Sequence, residues 1–237
     1  MLYSKERLLE KYPKFDFLFF WSHKPEKDGK ITETCLSQWW KCSFVEDDIT
    51  FCCAEQYMMY KKALLFEDYA IAKEILKQKS QKKIKELGRL VRNFDSKIWD
   101  EHKFEIVLKG NILKFSQNPE LREYLLSTGK KILVEASPFD TVWGVGLKKE
   151  SSDICLPQKW KGQNLLGFAL METRDRIQSA NERYRVVFSV QGTYTAYVYA
   201  SAEEEAKDLA MQKLCKEMDS GNIRNVDVKF HHIEEDY

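Results

Sequence analysis

An acid and an amine on one predicted helix are the first residues of this sequence that could do chemistry. Glu55 and Lys62 stand seven positions apart in AEQYMMYKKALLF (54–66), which is about two turns at 3.6 residues per turn. Met58 and Met59 share their face, and the neighbouring residues are mostly apolar, so the face is predicted to be buried. Buried ionisable side chains point to functional sites. A Glu–Lys pair on a solvated surface is the alternative, and spacing leaves both open.

A loop that joins an acid, a tryptophan and two glycines is the second candidate. The segment FDTVWGVGL (139–147) contains Asp140, Trp143, Gly144 and Gly146. Glycines permit close approach of the backbone to a ligand. A tight turn whose tryptophan fills the core is the alternative, and composition does not separate the two.

Three further side chains are candidates, and two of them have alternative interpretations. Asn164 lies at or near the cap of a predicted helix in GQNLLGFALMETR (162–174). Arg174, in the same segment, is either a phosphate ligand or a surface charge. Trp99 either packs its own helix against the domain or provides a platform on which a base stacks.

The elements that must position these residues predict an α+β domain over residues 1–181, dominated by helices. Apolar residues at helical spacing predict helices over 54–66, 67–78, 81–91, 96–117, 118–128 and 164–181. Asn118 and Pro119 fit the cap and first turn of the fifth of these helices. Other runs predict strands over 15–21 and 130–138, and a hairpin over 42–52 with Asp47 and Asp48 at its turn.

Residues 182–237 are predicted to form a small accessory ββαβ module. Its elements are strands over 183–190 and 193–200, a helix over 202–218 and a strand over 226–233. A strand edge can accept a strand of a partner. We therefore expect residues 183–237 to bind a protein partner or to mediate self-association. Acidic residues in this module disfavour contact with nucleic acid there.

Composition gives no global attraction to nucleic acid or to a membrane. The sequence has 38 Lys+Arg against 37 Asp+Glu and a net charge of +1, so any nucleic-acid contact must come from a local basic patch. No run approaches the roughly 18 apolar residues of a membrane helix, and the N-terminus has no apolar signal segment. We expect a cytoplasmic protein with no membrane contact.

The cysteines and histidines do not suggest a metal site. The six cysteines contain no CxxC pair, and Cys52 and Cys53 are adjacent, which is a poor start for zinc binding or for a disulfide framework. We expect reduced thiols in a cytosolic protein, with no metal and no cofactor.

Several segments occur together in the order and with the gaps of a known family. They are CAEQYMMYKKALLF, GRLVRNFDSKIWDEHKFEIVLKGNILKFSQNPELREYLLSTG, ILVEASPFDTVWGVG and GQNLLGFALMETRDRI. This pattern resembles the NADAR (YbiA-like) family over residues 15–178. FFWSH (19–23) and LSQWW (36–40) resemble its longer members. The resemblance implies a predominantly helical domain with small β-hairpins, and the module at 182–237 lies outside it.

The resemblance also implies an N-glycosidase and its site residues. By position, Glu55 matches the family's essential acid and Lys62 matches the lysine two turns later. The other matches are the Gly-Arg of the next helix, a helix tryptophan, the Asp…Trp-Gly loop and the final Asn-x-x-Gly: Gly88 and Arg89, Trp99, Asp140, Trp143 and Gly144, and Asn164 and Gly167.

Two enzymatic functions and one binding function follow from the family. Some members hydrolyse the ribosyl–nitrogen bond of riboflavin-pathway intermediates, and others remove ADP-ribose from guanine in nucleic acid. We expect the second reaction, with an ADP-ribosylated nucleobase or nucleic acid as substrate. A non-catalytic ADP-ribose or NAD sensor is the third possibility. The departures at 36–40 and in the longer insertion 148–160 would reshape the pocket mouth and affect substrate identity more than reaction type.

The roles implied for individual residues follow from the charge that develops in such a reaction. Positive charge appears on C1′ and the leaving base gains negative charge, so a carboxylate and a proton donor are both useful. Glu55 and Asp140 are the candidates, and the sequence does not say which is the acid. Lys62 would either neutralise Glu55 and hydrogen-bond the sugar, or form a Schiff base with ring-opened ribose.

Binding roles fall to aromatic and basic residues. Trp99 or Trp143 would stack on the base, and Arg89, together with Arg174, would bind the pyrophosphate of ADP-ribose. A local basic face could attract nucleic acid, or it could be a solvated helix surface. Its members are Lys77, Lys79, Lys82, Lys83, Lys85, Arg89 and Arg92.

Overall fold

The computed structural model describes residues 1–11, 16–25, 29–179, 182–190, 192–219 and 229–235. The chain divides into two compact units, Met1–Arg174 and Asp175–Tyr237. The boundary at 181/182 that the sequence suggests stays a prediction. Within the described residues, no helix combines the length and the apolar character that crossing a bilayer would require.

Helices dominate the first unit, as predicted. They are α1 (Lys5–Lys11), α2 (Ala54–Leu65), α3 (Tyr69–Lys77), α4 (Gln81–Arg89), α5 (Ser96–Gln117), α6 (Pro119–Ser127) and α7 (Leu165–Ser179), the last of which continues into the second unit. Helix α1 and short 3-10 helices at Glu33–Leu36 and Pro157–Lys159 were not predicted. Pro119 occupies the first turn of α6 and Asn118 is its N-cap residue, as predicted, although the Asn118 side chain forms no capping hydrogen bond. The Asn118 amide donates instead to the carbonyls of Ser43 and Lys114.

A parallel pair of short strands places an acidic residue at the end of a buried strand. β1 (Phe17–Phe20) pairs with β4 (Ile132–Glu135), and Phe20 stands opposite Glu135. The first three residues of β4 are buried and apolar, and Glu135 follows them at the carboxyl end. A carboxyl group is thereby held at the strand end where the chain turns towards Asp140.

A hairpin fixes the start of α2. β2 (Phe44–Glu46) and β3 (Ile49–Phe51) are antiparallel, and Asp47 and Asp48 form their turn with φ of 48° and 63°. Two consecutive residues in the left-handed region are typical of a type I′ hairpin turn, which aspartate tolerates. The predicted turn is confirmed. Phe51 packs edge-on against Tyr57 of α2, with ring centroids 5.1 Å apart, so the hairpin anchors the helix that carries Glu55.

Helix α2 is the central helix of the first unit and packs against α3, α4 and α5. Its buried Gln56 joins it to the end of α3: the amide nitrogen donates to the carbonyls of Ile75 and Gln78 at 3.0 and 2.8 Å. The amide oxygen accepts from the Cys52 backbone at 2.8 Å. These bonds satisfy backbone groups at a helix end, where α-helical partners are missing.

The described residues of the second unit form a three-stranded sheet, a further helix and the end of α7. β5 (Glu182–Val190) lies between β6 (Gly192–Ala200) and β7 (Lys229–Glu235), with α8 (Glu203–Asp219) before β7. Alternate residues of β6 are buried, as are residues of α8 at helical spacing: Ala196, Val198 and Ala200, and Ala206, Ala210 and Leu214. The described elements follow the predicted order, and residues 226–228 of the predicted last strand lie outside the described ranges. That the unit is an independent module stays a prediction.

Candidate functional site

A cleft of about 330 Å³ collects most of the predicted site residues. It is lined by α2, α4, the start of α5, the end of β4 and the loop that follows. The predicted residues Glu55, Lys62, Arg89, Trp99, Asp140 and Trp143 all line it. Residues that were not assigned to the site join them: Gln38, Trp39, Met58, Met59, Lys85, Asp100, Lys103, Glu135, Val142 and Leu166.

A larger cavity of about 510 Å³ lies beyond the segment that carries Asp140. Its walls include exposed Trp21 and Phe139. None of the predicted catalytic residues lines it. The smaller cleft is therefore the candidate site, because ionisable groups with strongly shifted pKa values are found there.

Glu55 lies in the first turn of α2 and is buried. Its backbone amide donates to the carbonyl of Gln38 at 3.0 Å. Loss of hydration raises the pKa of its carboxyl to about 7, with a further increase from Asp140 and an opposing effect of Lys85. Near neutral pH the group therefore exchanges a proton readily, which suits general acid–base catalysis.

Glu135 is a second acid of the cleft, and sequence reasoning missed it. Burial, together with the nearby carboxyls of Asp140 and Glu55, raises the pKa of its carboxyl to about 8, against an opposing effect of Lys85. Its Oε2 atom finds no hydrogen-bond partner within the described residues. An acid placed directly after the apolar run Ile132–Val134 of a buried strand is the signal that could have identified it.

Asp140 is held in place by the loop that it begins. Its Oδ1 atom accepts hydrogen bonds from the backbone amides of Val142 and Trp143 at 2.9 and 2.8 Å. Gly144 does not line the cleft but lets the loop fold back, since a Cβ there would lie 2.9 Å from the Glu135 carbonyl oxygen. This close approach brings the Asp140 loop against the end of β4.

Asn164 supports the cleft from behind and does not line it. It is buried with φ of 56°, and its side chain forms a two-way link to β4. The amide nitrogen donates to the Leu133 carbonyl at 2.9 Å, and the amide oxygen accepts from the Glu135 backbone at 3.0 Å. Gly167 lies against the same groups, where any Cβ would overlap the Leu133 carbonyl. These two residues position Glu135 rather than touch a ligand in the cleft.

Lys62 lines the cleft. It and Glu55 both belong to the described part of the chain, and no ion pair joins them. Its Nζ atom donates to the Gly88 carbonyl at 2.8 Å and lies 4.1 Å from the centre of the Phe94 ring. Desolvation lowers the pKa of the amine. Trp99, also in the cleft, has its ring centre 5.7 Å from the same nitrogen. The alternative that Glu55 and Lys62 form a pair on a solvated surface is therefore wrong, since Glu55 is buried.

A basic surface continues from the cleft along α4. Lys85 and Arg89 line the cleft, and Lys82 is exposed on the same helix. Arg92, also predicted to belong to this surface, is engaged by Asp68, whose two oxygens accept from its guanidinium at 3.1 and 2.9 Å. The positive charge available to a ligand is therefore concentrated on α4.

Arg174 is the predicted ligand-binding residue that the structure places away from the cleft. It is 3% exposed, which also contradicts the alternative of a surface charge. Its guanidinium donates to Thr128 Oγ1 at 2.9 Å and to the Lys131 carbonyl at 3.0 Å. Arg174 therefore stabilises the connection between α6 and β4.

Chemically, the cleft combines two acids whose pKa values are raised by burial with the carboxyls of Asp100 and Asp140 and with amines. Such an arrangement can transfer a proton and can stabilise a developing positive charge in the same place. Across the described ranges, no group of three His, Cys, Asp or Glu side chains is placed to hold a metal ion.

Comparison with known proteins places these segments in a family. The family model described as NADAR domain matches residues 19–178. The N-glycosidase R617 of Acanthamoeba polyphaga mimivirus is 50% identical over 148 residues, covering 60% of this chain and 87% of that protein. The chloroplastic riboflavin biosynthesis protein PYRR of Arabidopsis thaliana is 38% identical over 91 residues, covering 38% of this chain and 13% of that protein.

A solved structure has the same fold. The NMR structure of the E. coli protein YbiA superposes with a TM-score of 0.56 at 27% identity, over 70% of this chain and 86% of that one. Every element that contributes Glu55, Lys62, Glu135 and Asp140 to the cleft lies within the matched residues, and on these grounds the chain belongs to the NADAR domain family.

Proposed function

We propose that this chain is an N-glycosidase that hydrolyses the bond between ribose C1′ and a base nitrogen, removing ADP-ribose from guanine in nucleic acid. The observation that supports the reaction is the cluster of Glu55, Glu135 and Asp140 in one cleft. Burial and mutual repulsion keep the first two carboxyls protonated to higher pH than usual. A relative that is 50% identical carries the name N-glycosidase.

In the proposed mechanism, Asp140 acts as the carboxylate and Glu55 as the proton donor. Asp140 is fixed by two backbone amides, so its charge can face the positive charge that develops at C1′. Glu55 has a pKa of about 7, which suits a group that donates a proton to the leaving base and then accepts one from water. Glu135 is a second neutral donor within the same cleft.

Lys62 has two possible roles in this reaction. Desolvation lowers the pKa of its amine, and in the ring-opened substrate the neutral amine could add to C1′ while C1′ is still bonded to the base nitrogen. The bond from C1′ to the base then breaks as Glu55 protonates the leaving nitrogen, and water hydrolyses the Schiff base that remains on Lys62. Alternatively the ammonium hydrogen-bonds the sugar while the Gly88 carbonyl holds it in place. The covalent role is the one that we favour.

The choice of ADP-ribose as the sugar part rests on Arg89 and the aromatic residues. A guanidinium can bind a pyrophosphate through paired hydrogen bonds, and Arg89 lies at the cleft on the basic surface of α4. Trp99 and Trp143 offer faces for a base, where stacking contributes on the order of 1–3 kcal/mol. Exposed Lys82 and Lys83 extend the positive charge towards a nucleic-acid backbone.

Hydrolysis of a riboflavin-pathway intermediate is the second candidate. Its support is the similarity to PYRR, which is named a riboflavin biosynthesis protein. The same carboxyls would serve, because the bond broken is also ribosyl–nitrogen. A non-catalytic ADP-ribose or NAD sensor is disfavoured, since a binding protein has no need for two buried acids with raised pKa values.

The test is hydrolysis of a DNA oligonucleotide that carries ADP-ribosyl-guanine, followed by mass spectrometry. Wild-type protein is expected to release ADP-ribose, and Glu55→Gln is expected not to. Glu74→Gln, on the exposed face of α3, is the matched control and should behave as wild type. Release from a riboflavin-pathway ribosylamine but not from the oligonucleotide would select the second candidate, and binding without turnover would select the sensor.

For residues 183–237 we propose a protein partner or self-association. The support is the observed sheet order, in which β6 and β7 are edges and edges accept partner strands. Light scattering of the full chain and of a chain that ends at residue 181 tests this. An unchanged oligomeric state and unchanged capture of partners would contradict it.

A further inference from the structure

Gln38 has a buried side chain without a partner in the wall of the cleft. The residue is 6% exposed and lines the cleft beside Trp39 and Glu55. Within the described residues, neither its amide nitrogen nor its amide oxygen has a hydrogen-bond partner. Folded proteins rarely leave buried polar atoms unpaired, so a primary amide with both ends unpaired is a candidate for binding a ligand.

The backbone around Gln38 is firmly held, in contrast to its amide. The Gln38 carbonyl accepts from the Glu55 backbone at 3.0 Å. The buried ammonium of Lys114 donates to the carbonyls of Cys35 and Ser37 at 2.6 and 2.9 Å. On the other side, the Gln81 amide donates to the Trp39 carbonyl at 2.6 Å. The segment is therefore fixed next to the catalytic acid.

Gln56 shows what a structural glutamine looks like in the same fold. It is 2% exposed, and both ends of its amide are bonded to backbone groups of Cys52, Ile75 and Gln78. Gln38 has similar burial and none of these bonds. The difference indicates that burial alone does not explain Gln38, and that its partner comes from the contents of the cleft.

We propose that the Gln38 carboxamide recognises the lactam edge of the leaving base. A carboxamide presents a donor and an acceptor in one plane, and a lactam presents the complementary carbonyl and N–H in one plane. Guanine and the pyrimidinone rings of riboflavin intermediates share this edge, so the inference deepens the proposed function and is compatible with both of its substrates. Trp39, next in the chain and also in the cleft, offers a flat neighbour for the ring.

A ribose hydroxyl is a weaker match for the same group. Each hydroxyl is a donor and an acceptor that rotates to suit its partner, so it does not require a planar pair. The position of Gln38 also favours the base. Its backbone carbonyl accepts a hydrogen bond from the backbone amide of Glu55, the residue assigned to protonate the leaving nitrogen.

Equilibrium binding tests the proposal without turnover. The probes are guanosine and 1-methylguanosine, in which a methyl group replaces the lactam N–H. Wild-type protein is expected to bind guanosine about tenfold more tightly than 1-methylguanosine, as for a lost hydrogen bond that leaves a buried group unpaired. In Gln38→Met, a variant of similar size without polar atoms, the ratio should fall to about one, since the discriminating bond is gone.

Several results would overturn the proposal. One is undetectable binding of guanosine to the wild type. The others are equal wild-type binding of guanosine and 1-methylguanosine, and a preference for guanosine that survives in Gln38→Met. Failure of the hydrolysis assay with this preference intact would refute the proposed function and leave the recognition of the lactam standing.

Thermal unfolding of the free protein supplies the structural control. Gln38→Met should unfold at the same temperature as wild type or higher, because an unpaired buried amide is replaced by an apolar group. Gln56→Met should unfold at a clearly lower temperature, because several backbone groups lose their partner. An equal decrease in both variants would mean that the protein itself bonds the Gln38 amide, and would overturn the proposal.

Discussion

Replacement of Asn164 tests the link between α7 and the strand that carries Glu135. The side chain is fully buried and bonded at both ends to β4, to the Leu133 carbonyl and to the Glu135 amide. Asn164→Gly removes both bonds but keeps a residue that adopts φ of 56° without strain. Asn164→Ala removes the same bonds but, unlike the glycine variant, keeps a Cβ in the left-handed region.

The magnitude follows from the groups left behind. Each buried backbone group that loses its partner costs about 1–3 kcal/mol, so Asn164→Gly should lower the free energy of unfolding by roughly 2–6 kcal/mol. Asn164→Ala should cost about 1–2 kcal/mol more, because of the left-handed conformation. Against a total stability of about 5–15 kcal/mol, these are large effects.

Urea unfolding of the full chain measures these differences. Asn93 is the matched control, since it is exposed and also has a positive φ, 55°. Asn93→Gly should leave stability almost unchanged, whereas Asn93→Ala should reproduce only the conformational cost. If Asn164→Gly is as stable as wild type, the two hydrogen bonds do not hold β4, and the account of how Glu135 is positioned is refuted.

Three further predictions concern the cleft. The pKa values of Glu55 and Glu135 rise from 4.5 to about 7 and about 8 on folding. The folded state therefore binds more protons than the unfolded state from about pH 4.5 to about pH 8, so the free energy of unfolding falls as pH rises across this window. Urea unfolding at pH 5 and pH 8 should show a smaller fall in the variant that carries both Glu55→Gln and Glu135→Gln. A methyl group at Gly88 would overlap Met59, so Gly88→Ala should lower the free energy of unfolding by about 1–3 kcal/mol. Adding Met59→Ala to this variant should restore part of the lost stability, whereas Met59→Ala alone should not stabilise the wild type. Borohydride added during turnover should trap an adduct on Lys62, and its absence by peptide mass spectrometry would exclude the covalent role.

Local patterns predicted the helices and the hairpin turn well. Helix α5 has the bounds that its sequence predicts, Ser96–Gln117, and Asp95 caps it through bonds to the amides of Lys97 and Ile98. Asp47 and Asp48 form the predicted turn because both tolerate a positive φ. Such features depend on neighbours in the chain, and the sequence contains that information directly.

Long-range contacts were not predictable in the same way. The parallel pairing of Phe17–Phe20 with Ile132–Glu135 joins segments far apart in the chain. Neither segment contains a local pattern that identifies the strand with which it pairs. Glu135 was missed for this reason: the local pattern shows only an acid at the end of a buried strand, and the pairing and the link to Asn164 place that strand end at the cleft. Arg174 was predicted to be a phosphate ligand or a surface charge, and its burial away from the cleft was not foreseen, since its bonds to Thr128 and Lys131 join separate elements.

The cleft brings together carboxyls that repel one another, and this repulsion matters for the proposed reaction. Glu55, Glu135 and Asp140 come from a helix start, a strand end and a loop. Burial raises the pKa values of both glutamates, Asp140 contributes to both increases, and Glu55 contributes to that of Glu135. In the free protein the strain is relieved by keeping protons on the two glutamates, so the cleft holds proton donors beside Asp140. In the proposed reaction Glu55 gives its proton to the leaving base and becomes a carboxylate. The positive charge that develops at C1′ is then a counter-ion for the carboxylates of the cleft. The arrangement that is unfavourable in the empty cleft is therefore most favourable in the transition state, as differential binding requires.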